Sequence, residues 1–145
     1  MSKQKGFSLI ELLIVVAIIL IIAAIAIPNL LRSRIAANEA SAVGSIRTIN
    51  TSEITYASTY PDVGFAGLTA LGGAGGTANT SAKSGYSFGY TPGTADVTGH
   101  INLYSFVANP ISNSTGTNYY FTDQSGVIRQ NSTAAAQSTD SPIAG

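Results

Sequence analysis

The chain has 145 residues, 45% of them hydrophobic and only 10% charged, with seven Lys/Arg balanced by seven Asp/Glu and no cysteine. That length allows one modest domain plus one membrane segment. No basic block is present, which argues against a specific nucleic-acid site, and no disulfide can close any part of the chain.

Lys3 and Lys5 precede an almost unbroken apolar run over residues 7–27, broken only by Ser8 and Glu11. As a helix that run spans about 30 Å, the thickness of a bilayer's hydrocarbon core. An ionisable group inside such a segment is costly unless it has a partner, so Glu11 is a functional candidate. Ser8-Leu9-Ile10-Glu11 also fits a helix capping box, with Ser8 as N-cap and Glu11 at the third helical position. The two roles are compatible. Arg32 and Arg34 follow the run, so cations flank it on both sides and charge bias alone does not orient it.

Pro28 closes the run, and a proline inside a helix bends or loosens the preceding turn. Residues 29–57 again read as helix, with Ile35, Ala42, Ile46, Ile49, Tyr56 and Ala57 on one face. Glu39 and Glu53 fall on or beside that face. One reading gives each acid a partner charge, even on another copy of the chain; the other makes it a carboxylate snorkelling at the edge of the stripe.

Tyr60-Pro61 is expected to end the helix, and residues 61–85 read as loop, loosest at Gly72-Gly73-Ala74-Gly75-Gly76. Strands are expected at Tyr86–Tyr90, Ile101–Ala108 and Tyr119–Thr122. The last is expected to continue through Val127–Arg129 after a turn at Asp123-Gln124-Ser125-Gly126. The Ser/Thr/Ala-rich residues 131–145 read as a loose tail. The fold class is therefore α+β: a long N-terminal helix, half membrane-spanning and half amphipathic, packed on an antiparallel sheet of three or four strands.

The stretch Lys3-Gln4-Lys5-Gly6-Phe7-Ser8-Leu9-Ile10-Glu11-Leu12-Leu13-Ile14-Val15-Val16 resembles the N-terminus of type IV prepilins, closely through about Arg34 and weakly beyond. The resemblance implies a leader at 1–6, a transmembrane and filament-core helix at 7–27, an amphipathic half at 28–60 and a globular region at 61–145. It implies that a membrane prepilin peptidase/methyltransferase cuts between Gly6 and Phe7 and N-methylates Phe7. A small Gly6 would let a protease approach the backbone closely. It further implies that Glu11 pairs with the N-terminal amine of a neighbouring subunit and sets assembly register, and that Pro28 marks where the helix kinks or loosens. A competing reading as a secretory signal with a cleavage site at Ala24-Ile25-Ala26, or as a plain anchor, leaves Glu11 and the Gly6–Phe7 junction unexplained.

The implied protein is a structural subunit and not an enzyme, with roles in adhesion, motility or DNA uptake. Its implied partners are copies of itself, the processing enzyme, the inner-membrane assembly platform and, before assembly, the lipid bilayer. The implied location is the bacterial inner membrane, with the N-terminus cytoplasmic, and then an extracellular pilus. Two features depart from the family pattern: Ser8 stands where threonine is common, and the C-terminal disulfide loop of many pilins is absent. Removing the leader would leave five basic against seven acidic residues.

An alternative is the major pseudopilin of a type II secretion system, which builds a periplasmic filament. Tyr60-Pro61 followed by Gly67-Leu68-Thr69-Ala70-Leu71 resembles the loop after the helix in such proteins. A minor tip subunit that recognises a surface through residues 61–85 is a third reading. No cofactor is expected. Calcium-binding relatives suggest Asp96, Asp123 and Asp140 as candidate oxygen ligands, although their spacing matches no known loop pattern. The single His100 reads as a surface histidine.

Overall fold

A computed structural model describes residues 6–72 and 82–143. Lys3 and Lys5 of the expected leader, and Gly73 to Gly76 of the glycine-rich loop, lie outside the described residues. One helix, α1 (Leu9–Thr59), precedes five strands: β1 (Tyr86–Pro92), β2 (Tyr104–Pro110), β3 (Tyr119–Asp123), β4 (Arg129–Asn131) and β5 (Ser141–Pro142). The chain divides into two compact units, Met1–Arg34 and Ile35–Gly145.

The first unit contains the apolar stretch of α1. Branched and aliphatic side chains dominate it, and away from its ends and Pro28 the helix pairs its backbone groups internally, as an apolar medium demands. Pro28 lies inside α1, and helical structure continues on both sides of it. Proline offers no amide donor there, so one rung of the helical ladder is missing.

In the second unit, residues 35–59 of α1 pack against a sheet of order β1-β2-β3-β4-β5, antiparallel throughout. Strand alternation sends Tyr104, Phe106 and Ala108 of β2 and Tyr120 and Thr122 of β3 toward the helix. Register places Phe106 between Tyr90 and Thr122, and Ala108 between Phe88 and Tyr120. Ala42, Ile46 and Ile49 of α1 close the core against Tyr86, Phe106, Ala108, Tyr120 and Ile128. Phe88 stacks on Phe106 with ring centroids 5.7 Å apart.

The strands differ from expectation in detail. Ile101 does not open β2; it bridges Gly64 and Ala95 instead, and β2 starts at Tyr104. The Asp123–Gly126 turn closes as expected, with the Gly126 amide donating to the Asp123 carbonyl at 2.9 Å. The strand after it starts at Arg129 rather than Val127, and the Val127 carbonyl accepts from the Thr122 hydroxyl at 3.2 Å. The expected loose tail is ordered through Ile143. Ser141–Pro142 add a fifth strand beside β4, Ala136 is buried, and the Asp140 carboxylate accepts from Asn131 Nδ2 at 3.0 Å and from the Gln137 amide at 2.7 Å. Its low hydrophobicity hid this, since side-chain hydrogen bonds and main-chain pairing hold it more than apolar burial does.

Candidate functional site

The first candidate site is the N-terminal stretch of α1. Ser8 is its N-cap: the Leu12 amide donates to the Ser8 carbonyl at 3.3 Å. The Ser8 amide donates in turn to Glu11 Oε2 at 2.8 Å, the glutamate half of the capping box. A carboxylate in the first turn also meets the positive end of the helix dipole. Gly6 lies just ahead of the helix with open space around its Cα, and Phe7 is 77% exposed.

Beyond Glu11 the surface is apolar on every side. Leu12, Leu13, Ile14, Val15, Val16, Ile18, Ile19, Leu20, Ile21 and Ile22 are all exposed, and so are Ile25, Ile27, Leu30 and Leu31. Its most apolar 18-residue window has a mean hydropathy of 3.3 and no buried residue. A continuous apolar surface of this extent is unstable in water and marks a site for lipid or for other apolar surfaces.

The two acids of the second half of α1 serve the fold. Glu39 Oε1 accepts from the Thr117 amide at 2.9 Å, the Thr117 hydroxyl at 2.8 Å and the Asn118 amide at 3.2 Å, while Oε2 accepts from Asn118 Nδ2 at 3.2 Å. Burial alone would raise its pKa, but the four hydrogen bonds favour the carboxylate more and hold it below the ordinary value. Glu53 is fully buried, accepts from the Ala66 amide at 2.8 Å, and has Oε1 within hydrogen-bonding distance of the Tyr90 hydroxyl oxygen. Burial pushes its pKa up. Each acid thus bonds to loops or strands of its own unit, which neither the partner-charge nor the snorkelling reading anticipated.

Asn50 is a further buried polar residue that the apolar periodicity did not reveal. Its Nδ2 donates to Thr122 Oγ1 at 3.0 Å and to the Gly126 carbonyl at 3.1 Å, and its Oδ1 accepts from the Tyr104 hydroxyl at 3.1 Å. Only its position one turn before Glu53 on the inward face could have signalled it.

The prokaryotic N-terminal methylation motif matches residues 1–27. The type IV wide pilus major component PilA4 of Thermus thermophilus is 64% identical over 39 residues, which make up 27% of this chain and 30% of that relative. The chain thus matches under a third of that relative's length. No solved structure matches the chain. The chain is similar to a type IV pilus component over 27% of its length.

The expected site residues fall into two groups. Gly6, Phe7 and Glu11 sit together at the start of α1, whereas Pro28 lies well inside the helix. Asp96, Asp123 and Asp140 each serve a separate turn. Asp96 Oδ1 accepts from the Thr98 amide at 2.8 Å, the Thr98 hydroxyl at 2.6 Å and the His100 amide at 3.1 Å, bonds that lower its pKa to about 2. Asp123 Oδ1 accepts from the Ser125 amide at 2.9 Å and the Ser125 hydroxyl at 2.5 Å. Among the described residues no group of three or more His, Cys, Asp or Glu is arranged to hold a metal. His100 Nε2 donates to the Pro61 carbonyl at 3.0 Å and so ties two loops together.

Proposed function

We propose that this protein is a type IV pilin, a structural subunit of a type IV pilus, polymerised with copies of itself through α1. The precursor is cut between Gly6 and Phe7 by a prepilin peptidase, which then methylates Phe7. The observation that carries the reading is the uncovered apolar surface from Leu9 to Leu31. Covering one such Ile or Leu side chain is worth about 1.5–3 kcal/mol. Summed over the stretch, that favours lipid before assembly and the same stretch of neighbouring copies afterwards.

Glu11 supplies register in this reading. Cleavage after Gly6 leaves an amine on Phe7, directly before the Ser8 amide that Glu11 already binds. Inside an apolar filament an unpaired carboxylate is penalised, and pairing with an ammonium offsets much of that penalty. Misaligned copies would leave both charges unpaired. Pro28, with one helical hydrogen bond already missing, is where the helix would loosen at least cost during assembly. The inner-membrane assembly platform, and a location that changes from inner membrane to extracellular filament, belong to the same proposal.

The secretion pseudopilin is the second reading, supported by Tyr60-Pro61 and Gly67-Leu68-Thr69-Ala70-Leu71. The Thermus thermophilus relative, itself a pilus component, favours the first. Immunogold electron microscopy of the native host, with antibody raised against residues 30–145, separates them. Labelled filaments microns long that vanish in a deletion strain would establish the pilus subunit. Label confined to the envelope, with secreted enzymes retained in the deletion strain, would overturn it in favour of the pseudopilin.

A further inference from the structure

We propose that Glu53 is a proton-carrying latch: its neutral carboxyl holds Ala66, and with it the segment from Ala66 to Gly72, against α1 and β1, and ionisation releases that segment. The inference concerns the globular unit alone and stands independently of filament assembly.

Tyr90 Oη lies within hydrogen-bonding distance of Glu53 Oε1 and is 2.5 Å from the Ala66 carbonyl. A phenol has one proton, and a carboxylate and a carbonyl are both acceptors. With Glu53 ionised, one of the two contacts has no hydrogen between its oxygens and becomes repulsive. With Glu53 neutral the chain is complete: the carboxyl donates to Tyr90 Oη, Tyr90 donates to the Ala66 carbonyl, and the Ala66 amide donates at 2.8 Å to Glu53 Oε2. Both backbone groups of Ala66 are then satisfied by a closed ring of donors and acceptors.

The surroundings favour the neutral form. Glu53 is fully buried, and the influences on its ionisation are burial, the Tyr90 hydroxyl and the Ala66 amide, with no cation among them. The titratable groups that face it are the phenols of Tyr90 on β1 and Tyr104 on β2, and both are held neutral well above their ordinary range. Asp123, the carboxylate that bears on Tyr104, adds only negative charge. A lone buried carboxylate without a cation is the arrangement that proteins relieve by protonation.

Among the described loop residues, the latch acts where main-chain anchorage is least. Upstream, the Phe65 amide donates to the Ile101 carbonyl at 2.9 Å and the Ile101 amide to the Val63 carbonyl at 2.8 Å. Gly64 fits there because its φ is +79° and a Cβ would meet the Ile101 carbonyl at 2.3 Å. Downstream, the main-chain bond from Ala70 to Gly67 at 2.9 Å is internal to the segment, and Leu68 and Leu71 pack on the core. Ala66 joins the two parts, and its tie to the helix runs through Glu53. The folded carboxyl titrates above its ordinary 4.5, so the stability it contributes is complete below that value and is lost as pH rises through the folded pKa.

The test uses the full chain in detergent micelles, with carbon-13 at the glutamate carboxyls, and follows the Glu53 resonance and Ala66 amide exchange against pH. Exchange is corrected for its intrinsic base catalysis. The expected result is a Glu53 midpoint above 4.5, with Ala66 protection falling about tenfold as that midpoint is crossed, the effect of losing the Tyr90 hydrogen bond to the Ala66 carbonyl. In Glu53→Gln the amide nitrogen replaces the carboxyl proton toward Tyr90, so Ala66 protection should stay flat over the same range. A midpoint at or below 4.5, unchanged protection through the titration, or the same fall in Glu53→Gln would overturn the proposal. Should Glu53→Gln fail to fold, the wild-type titration and exchange decide alone.

Discussion

Replacing Glu39 by alanine should loosen Thr117 and Asn118 from α1. The carboxylate receives four hydrogen bonds there, two from main-chain amides and two from side chains of Thr117 and Asn118. Water can replace some of them because the group is only half-buried, which places the loss near the lower end of the usual range for charged hydrogen bonds, about 2 kcal/mol. For a globular unit of this size that lowers Tm by about 8 °C. Glu39→Gln keeps an acceptor oxygen but loses the charge, and should cost about half as much.

The pH dependence gives a second check on the same residue. The folded pKa of Glu39 lies below 4.5, so its contribution is present above that value and is lost as pH falls through the folded pKa. Wild type and Glu39→Ala should therefore converge in Tm as the solution is acidified. The difference between the two proteins is the quantity to follow, because Glu53 titrates in the opposite sense in both. Calorimetry of the full chain in detergent from neutral to acidic pH measures it. A Glu39→Ala Tm equal to wild type at neutral pH, or a gap that stays constant on acidification, would refute the reasoning.

Four further outcomes are expected. Glu11→Ala should insert and be cleaved but assemble poorly, and normal filaments by electron microscopy would sink the register role. Gly6→Leu should leave the leader attached, which mass spectrometry of the membrane fraction would read directly. Gly116→Ala should lose about 3 kcal/mol by overpacking, because its Cβ would fall 2.2 Å from the buried Tyr86 hydroxyl; a chemical melt reports it. Calcium should leave Tm unchanged, because Asp96, Asp123 and Asp140 are each engaged in a separate turn; a rise on titration would reopen the metal reading.

The sequence by itself determined the features that depend on local pattern. An apolar run of bilayer length, a capping box at Ser8 and Glu11, and a motif confined to the first residues are visible because each is contiguous. The order of helix then strands, and the turn at Asp123–Gly126, followed from the same local cues. Tertiary structure decided the roles of the polar residues on the inward face of α1. Glu39, Asn50 and Glu53 meet partners that lie far along the chain, at Thr117, Thr122 and Ala66, and periodicity reports only that a position faces inward. It decided the C-terminal residues as well: β5 exists because β4 offers it a free edge, and a segment of Ser, Thr and Ala carries no apolar pattern to announce such pairing.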